Sequence, residues 1–186
     1  MNVHEGRNQE NREKSFEEGV RGRAFSSEKS LPRDHLRSAD RGSIEAVVRG
    51  TGFFNEAEVA IAVELVDDRL AKGDASEYWF LLDGPPGDVT GYTCYGPISG
   101  TQSSFDLYWI VVRADAQGRG LGRMLLDATN ERIRAKGGSR VYAETSSKPL
   151  YEPTRRFYES NGFHADAVLP DFYAPGDSKV IYRRDV

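Results

Sequence analysis

The sequence QGRGLG at residues 117–122 lies between an apolar run typical of a strand, residues 105–112, and a run typical of a helix, residues 121–136. A glycine-rich turn that leads into a helix leaves backbone N–H groups without partners at the positive end of the helix dipole. Such a group of donors is suited to bind phosphate. The segment therefore predicts a site for a phosphate-bearing ligand at the end of a strand.

Composition and charge limit the classes of protein that fit. The chain has 186 residues and a formal net charge of −4, which favours one domain and argues against a nucleic-acid-binding protein that depends on positive charge. No apolar stretch approaches the ~20 residues needed to cross a bilayer, and residues 1–43 lack the apolar core of a signal peptide. We therefore expect a cytoplasmic protein with neither a nucleic-acid nor a membrane partner.

Cysteine and histidine usage argues against disulfides and metal sites. Cys94 is the one cysteine in the sequence, which excludes an internal disulfide and favours a small buried strand residue. The histidines are His4, His35 and His164, and they form no recognisable cluster. We therefore expect no metal site.

The character of the sequence changes at Ser43. Residues 1–42 are dense in charged and polar side chains, and they cannot bury enough apolar surface to offset the chain entropy lost on folding. We predict a disordered or loosely helical arm at residues 1–42 and one folded domain at residues 43–186.

Hydrophobic periodicity and turn residues within the domain predict a mixed α/β fold. Asn55 and Glu58 have the spacing of a capping box and predict the start of a helix. Strands are predicted at residues 44–49, 78–82, 89–95, 105–112, 140–143 and 179–183. Helices are predicted after residues 55, 121 and 152. This order predicts a mixed α/β sheet and not a purely alternating one.

The glycine turn fits neither of two common phosphate-binding motifs. Its third glycine comes one place too early for a dinucleotide fingerprint, and no Gly-Lys-Ser/Thr follows as in a P-loop. It does match the pattern Gln/Arg-x-x-Gly-x-Gly/Ala through Gln117, Gly120 and Gly122. The segment FYESNGF at residues 157–163 adds Tyr158 and a terminal Gly-Phe pair. On these motifs the chain resembles the GNAT superfamily, acetyl-CoA-dependent N-acyltransferases.

This resemblance implies a mixed, mostly antiparallel central sheet of about six or seven strands with flanking helices, splayed at its central parallel pair. It also implies acetyl-CoA as the cosubstrate. Backbone N–H groups of the glycine turn are implied to hold the pyrophosphate, and the strand at residues 105–112 to offer backbone groups to the pantetheine amides. The implied cofactor-binding residues are Ile110, Val111, Val112, Gln117, Gly118, Arg119, Gly120, Leu121, Gly122 and Arg123.

The resemblance also implies catalytic residues. Tyr158 stands where the family keeps the general acid for the leaving sulfur, and a phenol with a reference pKa of about 10 remains protonated at pH 7. Asp106 lies eleven residues before Gln117, at the offset where some relatives place a carboxylate base. Strand alternation predicts that Asp106, Tyr108 and Ile110 share one face. Rival bases are Glu56, Glu58 and Glu144, and a backbone N–H near Val111 is expected to stabilise the oxyanion.

Acyl-CoA-dependent transfer of an acetyl group to a small-molecule or peptide amine, by direct attack in a ternary complex, is therefore the leading hypothesis. Acceptor specificity is expected in the loops at residues 51–56, 96–104 and 169–177. Five aromatic residues are candidates for the acceptor pocket: Tyr92, Tyr95, Tyr108, Trp109 and Tyr151. Two alternatives remain open: an inactive CoA-binding regulatory module, and a partner-binding scaffold that acts through the arm. Edge strands near the C-terminus favour a homodimer.

Overall fold

A computed structural model of the protein describes residues 31–186. Its helices are α1 (Asp40–Gly50), α2 (Glu56–Lys72), α3 (Leu121–Ala135) and α4 (Glu152–Ser160). Its strands are β1 (Trp79–Asp83), β2 (Gly91–Pro97), β3 (Ser104–Val112), β4 (Arg140–Ser146), β5 (His164–Ala174) and β6 (Asp177–Asp185). Short 3-10 turns precede α3 and α4 at Ala114–Ala116 and Pro149–Tyr151.

The strands form one six-stranded sheet in the order β1-β2-β3-β4-β6-β5. All neighbours are antiparallel except β3 and β4, which are parallel. These two strands pair from Ser104 to Asp106 on β3 and then diverge, so the rest of β3 faces a gap beside β4. The predicted mixed, mostly antiparallel sheet with flanking helices is confirmed, including the splayed parallel pair.

Two hydrophobic cores cover the two faces of this sheet. Side chains from α3 and α4, such as Leu125, Ile133 and Tyr158, pack on one face. Side chains from α1 and α2, such as Ile44 and Val66, pack on the other. Because the gap between β3 and β4 interrupts the sheet, it is a passage from the α3–α4 face to the α1–α2 face.

The strand predicted at residues 44–49 is wrong, since these residues belong to helix α1. Ile44, Val47 and Val48 are all buried against α2 and the sheet, and their spacing of three and four residues places them on one side of a helix. The β-branched side chains favour a strand locally. Burial of this helical stripe outweighs that preference.

Residues 31–42, which the sequence assigned to the arm, contact the domain in the structure. Arg33 and Leu82 exchange backbone hydrogen bonds of 2.8–2.9 Å along the edge of β1. The buried Asp40 accepts hydrogen bonds from the Arg33 guanidinium and from the Gly87 N–H. Burial acts to raise the pKa of Asp40, but these donors hold it below its usual value. The remainder of the predicted arm, residues 1–30, lies outside the described residues.

The C-terminal part of the sheet is larger than the sequence indicated. One strand was predicted there with bounds, at residues 179–183, and an acceptor loop at residues 169–177. In the structure β5 extends to Ala174 and a short turn connects it to β6. β5 is the edge of the sheet and most of its side chains are exposed.

Candidate active site

The glycine turn before α3 leaves a continuous row of backbone donors unpaired. Gly118 and Gly120 have positive φ angles of 73° and 81°, a left-handed conformation that glycine adopts without strain. Gly120 is the N-cap of α3 and has no side chain to accept a hydrogen bond from the helix. Within residues 31–186, no backbone N–H from Gly118 to Arg123 has a hydrogen-bond partner. These donors point out at the positive end of the helix dipole.

A cavity of about 440 Å³ lies against this row of donors. The residues that line it are Phe53, Ile110, Val112, Ala116, Gln117, Gly118, Gly120, Leu121, Gly122, Arg123, Pro153, Thr154, Phe157 and Asn161. All the predicted cofactor-binding residues are therefore brought together here except Val111 and Arg119. Their binding role stays a prediction.

The exposed edge of β3 adds backbone groups on the side of the gap. In an antiparallel pair of strands, the N–H and C=O groups of successive residues point alternately towards the partner strand and away from it. The hydrogen bond from Arg113 N–H to Thr90 O, 2.8 Å long, sets the phase of this alternation. Val111 consequently exchanges hydrogen bonds with β2, whereas Ile110 and Val112 direct their N–H and C=O groups away from β2.

This phase narrows the prediction that a backbone N–H near Val111 serves the oxyanion, and that role stays a prediction. The N–H of Val111 is engaged by β2, and the Val111 side chain is buried in the core beneath α1 and α2. The N–H groups that face the gap belong to its neighbours Ile110 and Val112. The Gln117 side chain binds the same edge of β3: its amide Nε2 donates a hydrogen bond to Val112 O at 3.0 Å.

Several residues that line the cavity were not predicted as site residues. Phe53 comes from the loop between α1 and α2, and Pro153, Thr154, Phe157 and Asn161 come from the region of α4. The α4 residues are spaced by one, three and four positions, which is the repeat of one helical face. This periodicity around Tyr158 was available in the sequence. The approach of Phe53 was not, because it depends on the packing of α1 and α2.

A β-bulge in β3 changes which side chains share a face. Cys94 pairs with Trp109 and Tyr95 pairs with Leu107, so Tyr108 is an extra residue on β3. Leu107 packs with the core beneath α3, and so does Ile110 beyond the bulge. The predicted alternation of Asp106, Tyr108 and Ile110 on one face is therefore wrong, since Asp106 and Ile110 lie on opposite faces. Bulges of this kind redirect side chains and are frequent beside active sites.

Asp106 is a half-buried carboxylate with no partner. It makes neither a hydrogen bond nor an ion pair through its side chain with any other residue in the part of the chain that the structure describes. Burial, followed by the nearby Glu144, raises the pKa of Asp106 to about 6, although Lys179 acts in the opposite direction. A carboxylate with this pKa is charged at neutral pH and is a stronger base than an exposed aspartate.

The rival bases all have partners. Glu56 pairs with Arg49, and Glu58 accepts a hydrogen bond from the Asn55 N–H in the capping box at the start of α2. Glu144 pairs with Lys179 at 2.5 Å. Geometry thus favours Asp106 among the carboxylates considered.

Tyr158 lies in the core beneath α3 and α4 and is 5% exposed. Its ring contacts the rings of Phe157, Phe163 and Tyr182. Burial raises the pKa of Tyr158 well above its ordinary value, so the phenol stays protonated. Its side chain is not among those that line the cavity, and its catalytic role stays a prediction.

Comparison with known proteins gives the family. Residues 74–165 match the model of the acetyltransferase (GNAT) domain. The chain is 44% identical to a protein from Desulfovibrio desulfuricans that is assigned to the GNAT family of acetyltransferases; the match covers 82% of this chain and 96% of that one, with a TM-score of 0.78. This chain belongs to the GNAT acetyltransferase family.

Other solved GNAT structures share the fold at lower identity. An aminoglycoside 6'-N-acetyltransferase complexed with coenzyme A is 16% identical, over 83% of this chain and 94% of that one, with a TM-score of 0.65. A ribosomal-protein-alanine N-acetyltransferase from Brucella melitensis is 20% identical, over 84% and 99%, with a TM-score of 0.63. No curated protein matches the chain significantly.

The remaining predictions for this GNAT domain concern cysteine, metals and membranes. Cys94 is fully buried in β2, as predicted. Among residues 31–186, no group of three or more His, Cys, Asp or Glu side chains is placed to hold a metal ion. None of the helices described is long and apolar enough to cross a membrane.

The aromatic candidates for an acceptor pocket fall into two groups. Tyr92 and Tyr95 are buried in the two cores, and Trp109 packs on Phe54. Tyr108 is exposed at the bulge, and Tyr151 donates a hydrogen bond to Phe53 O at 3.2 Å. Tyr108 and Tyr151 are therefore the members of this set that are accessible near the gap.

Proposed function

We propose that the protein transfers an acetyl group from acetyl-CoA to a primary amine by direct attack in a ternary complex. The row of unpaired N–H groups from Gly118 to Arg123, which borders a cavity lined also by Ile110 and Val112 of β3, carries this proposal. A GNAT relative of the same fold forms a complex with coenzyme A. The GNAT family itself supports acetyl transfer.

The residues of the glycine turn fit the pyrophosphate of CoA. An added Cβ would meet no atom within 4 Å at either Gly118 or Gly120, so the space in front of the donors is open. Arg119 and Arg123 are exposed and add positive charge near the donors. Arg123 also forms an ion pair with Asp127, with 3.7 Å between Nε and Oδ2. Charge-assisted hydrogen bonds from several N–H groups and the helix dipole together favour a pyrophosphate.

The edge of β3 fits the pantetheine arm. Amides of the arm are hydrogen-bonded by the backbone of Ile110 and Val112, as if the ligand were an added strand. This placement brings the thioester to the gap between β3 and β4. One N–H of the same edge then stabilises the negative charge that develops on the thioester oxygen during attack.

Asp106 removes the proton that prevents the amine from attacking. It lies on the α1–α2 face of β3, opposite the cavity, so the amine approaches the gap from the side away from CoA. Asp106 accepts one proton from the ammonium group, directly or through one water, and the freed lone pair forms the new C–N bond. After the attack the nitrogen loses a second proton to water as the C–S bond breaks, and Tyr158 donates a proton to the departing sulfur and regains one from water.

The acetyl transfer does not pass through an acyl-cysteine intermediate. The chain has one cysteine, and burial both hides Cys94 and raises the pKa of its thiol well above the ordinary value. A thiol in that state is a poor nucleophile. A cytoplasmic location stays a prediction.

The proposal is tested by thermal unfolding of the full chain with acetyl-CoA, CoA, NADH or ATP in large excess. A ligand at 100 times its Kd adds about 2.7 kcal/mol to the free energy of unfolding, so Tm is expected to rise by several degrees with acetyl-CoA and CoA alone. Release of CoA thiol with a panel of amines then measures transfer. A rise with NADH alone, or no rise with either CoA species, would contradict the proposal.

If acetyl-CoA stabilises the chain but no amine releases thiol, the function is that of a CoA-binding module without turnover.

A further inference from the structure

We propose that the acceptor is a primary amine with a single positive charge on an apolar or aromatic body. This inference rests on the proposed acetyl transfer and names the class of amine. It comes from the charges and rings around the gap on the α1–α2 face, where Asp106 lies. The surface concerned, called here the acceptor face, consists of Asp106, Glu144, Phe172, Tyr173 and Lys179.

The sheet register assigns these residues to one face. Val141 and Ala143 on β4 pack beneath α3 and α4, so Glu144 points to the opposite side. Val180 on β6 packs with the same core, so its neighbour Lys179 also points to the opposite side. The ion pair between Lys179 and Glu144 agrees with this assignment. The phenyl ring of Phe172, 4.0 Å from the Lys179 ammonium, lies on this face as well.

Most of the negative charge in this region is already compensated. Glu144 pairs with Lys179, and Asp177 pairs with Lys148 at 3.1 Å. Glu58 also acts electrostatically on Tyr151 and Tyr173, but its carboxylate is bound in the capping box. Among these carboxylates Asp106 alone lacks a hydrogen-bonding or ionic partner in the described chain. The face therefore offers one site for an ammonium group.

The same pairing discourages a second cation on the acceptor. Lys179 is only partly exposed, and its ammonium lies 4.0 Å from the ring centre of Phe172 and 5.8 Å from that of Tyr173. The ring faces that attract a cation are thus occupied by a cation of the protein. Because Glu144 is already paired with Lys179, a second ammonium on the acceptor would find neither a free carboxylate nor a free ring face here, and it would lose hydration without gaining a partner.

What remains available for the body of the acceptor is apolar surface. Phe172 and Tyr173 are 52% and 48% exposed, and their rings contact each other. Exposed apolar groups that lie together mark binding surfaces. An amine with an alkyl or aromatic body buries these rings while its ammonium reaches Asp106.

The test is a matched pair of amines that differ by one charge: hexylamine and 1,6-diaminohexane. Thiol release is measured at saturating acetyl-CoA with the full chain, and phenethylamine and a neutral peptide with an N-terminal phenylalanine are included to separate small-molecule from peptide sources. We expect kcat/KM for hexylamine to exceed that for the diamine by about tenfold or more, because the diamine brings a second cation to a face on which no carboxylate is free to bind it.

Equal or better turnover of the diamine would overturn the inference while leaving acetyl transfer intact. Absence of transfer to every amine, with normal acetyl-CoA binding, would overturn the proposed function and this inference with it.

Variants locate the selectivity on the acceptor face. Tyr173→Ala is expected to lower kcat/KM for phenethylamine by about tenfold, since an aromatic contact is lost, with an unchanged Kd for acetyl-CoA. Lys179→Gln is expected to narrow the difference between hexylamine and the diamine. Val168→Ala is the matched control: Val168 is an exposed apolar residue of the same strand, but it pairs with Val180 and so lies on the other face.

An equal loss of phenethylamine turnover in Val168→Ala and Tyr173→Ala would contradict the assignment of the acceptor face.

Discussion

The two long helices of the molecule begin in opposite ways. At the start of α2 the Asn55 side chain accepts from the Glu58 N–H at 3.0 Å, and the Glu58 carboxylate accepts from the Asn55 N–H at 2.8 Å. At the start of α3 the N-cap is Gly120, and the donors of the first turn have no partner among the described residues. The protein thus satisfies one helix start with its own side chains, whereas the donors at the other have no partner in residues 31–186.

The carboxylates near the gap show the same contrast. Glu58 and Glu144 are bound by a backbone N–H and by Lys179, whereas Asp106 is half-buried without a partner. Since buried polar groups in folded proteins are nearly always paired, an unpaired one requires an explanation. The unpaired donors of α3 and the unpaired carboxylate of Asp106 are the two features on which the proposed acyl transfer depends.

The largest expected effect comes from filling the open helix start. Gly120→Glu places a negative side chain in front of the free N–H groups, at a φ of 81° that strains any side chain. Loss of two hydrogen bonds to a charged phosphate, each worth about 1.5–3 kcal/mol, weakens CoA affinity by roughly a thousandfold. Calorimetric titration with CoA measures the change.

The control for this variant is at the other end of the same helix. Gly137 has a φ of 82° and, like Gly120, no atom within 4 Å of an added Cβ. Gly137→Glu therefore introduces the same side chain and a similar strain, and CoA affinity is expected to stay within about twofold of the original. Near-normal CoA binding by Gly120→Glu would remove the role assigned to the unpaired donors.

The second-largest effect on turnover is expected from a comparison of two carboxylates, the unpaired Asp106 and the hydrogen-bonded Glu58. Asp106→Asn removes the base and is expected to lower kcat/KM by about 100-fold, whereas Glu58→Gln leaves turnover nearly unchanged. Because Asp106 must be deprotonated to act, kcat/KM of the unaltered protein rises with pH through about 6 and levels off above it. A pH profile that stays flat between pH 5 and 7 would exclude Asp106 as the base.

The same substitution is expected to stabilise the fold. The pKa of Asp106 is raised from 3.8 to about 6 on folding, chiefly by burial, so the folded state holds its proton more tightly than the unfolded state. The charged carboxylate therefore lowers the free energy of unfolding as pH rises from about 4 to 6, by at most about 3 kcal/mol. Asp106→Asn should raise Tm at pH 8 and change it little at pH 3.5.

Much of the fold and of the glycine turn beside the cavity could be predicted from the sequence, because both depend on local patterns. The glycines at 118, 120 and 122 predicted the turn, and the apolar periodicity after Leu121 predicted α3. The Asn55–Glu58 spacing predicted the capping box that begins α2. In each case the residues that determine the structure lie within one turn or one strand of each other.

What the sequence did not predict depends on contacts between distant segments. One extra residue at Tyr108 reverses the alternation of β3, and nothing in residues 104–112 marks the bulge, because its position depends on pairing with β2. Residues 44–49 have β-branched side chains that suit a strand, but packing on α2 makes them helical. The pairing of Glu144 with Lys179 likewise joins two different strands of the sheet.

A smaller effect on turnover is expected at Tyr158, which lies in the hydrophobic core. Tyr158→Phe removes the proposed donor to the leaving sulfur but keeps the ring contacts with Phe163 and Tyr182. We expect kcat to fall by about tenfold with little change in CoA affinity. Thiol-release rates at several pH values measure kcat, and calorimetric titration with CoA measures the affinity. A normal kcat would make Tyr158 a residue of the core alone.

The smallest effect on activity is expected at the start of α2, where side chains of the protein already bind the helix donors. Asn55→Ala removes the side-chain cap of α2, which lowers the free energy of unfolding by about 1 kcal/mol. Because no ligand is expected at that helix start, CoA affinity stays unchanged, and denaturant unfolding together with CoA titration measures both quantities. A loss of CoA affinity comparable to that in Gly120→Glu would mean that the two helix starts do not differ in function. Unequal responses, stability alone at α2 and ligand affinity at α3, follow if unpaired donors are retained for binding.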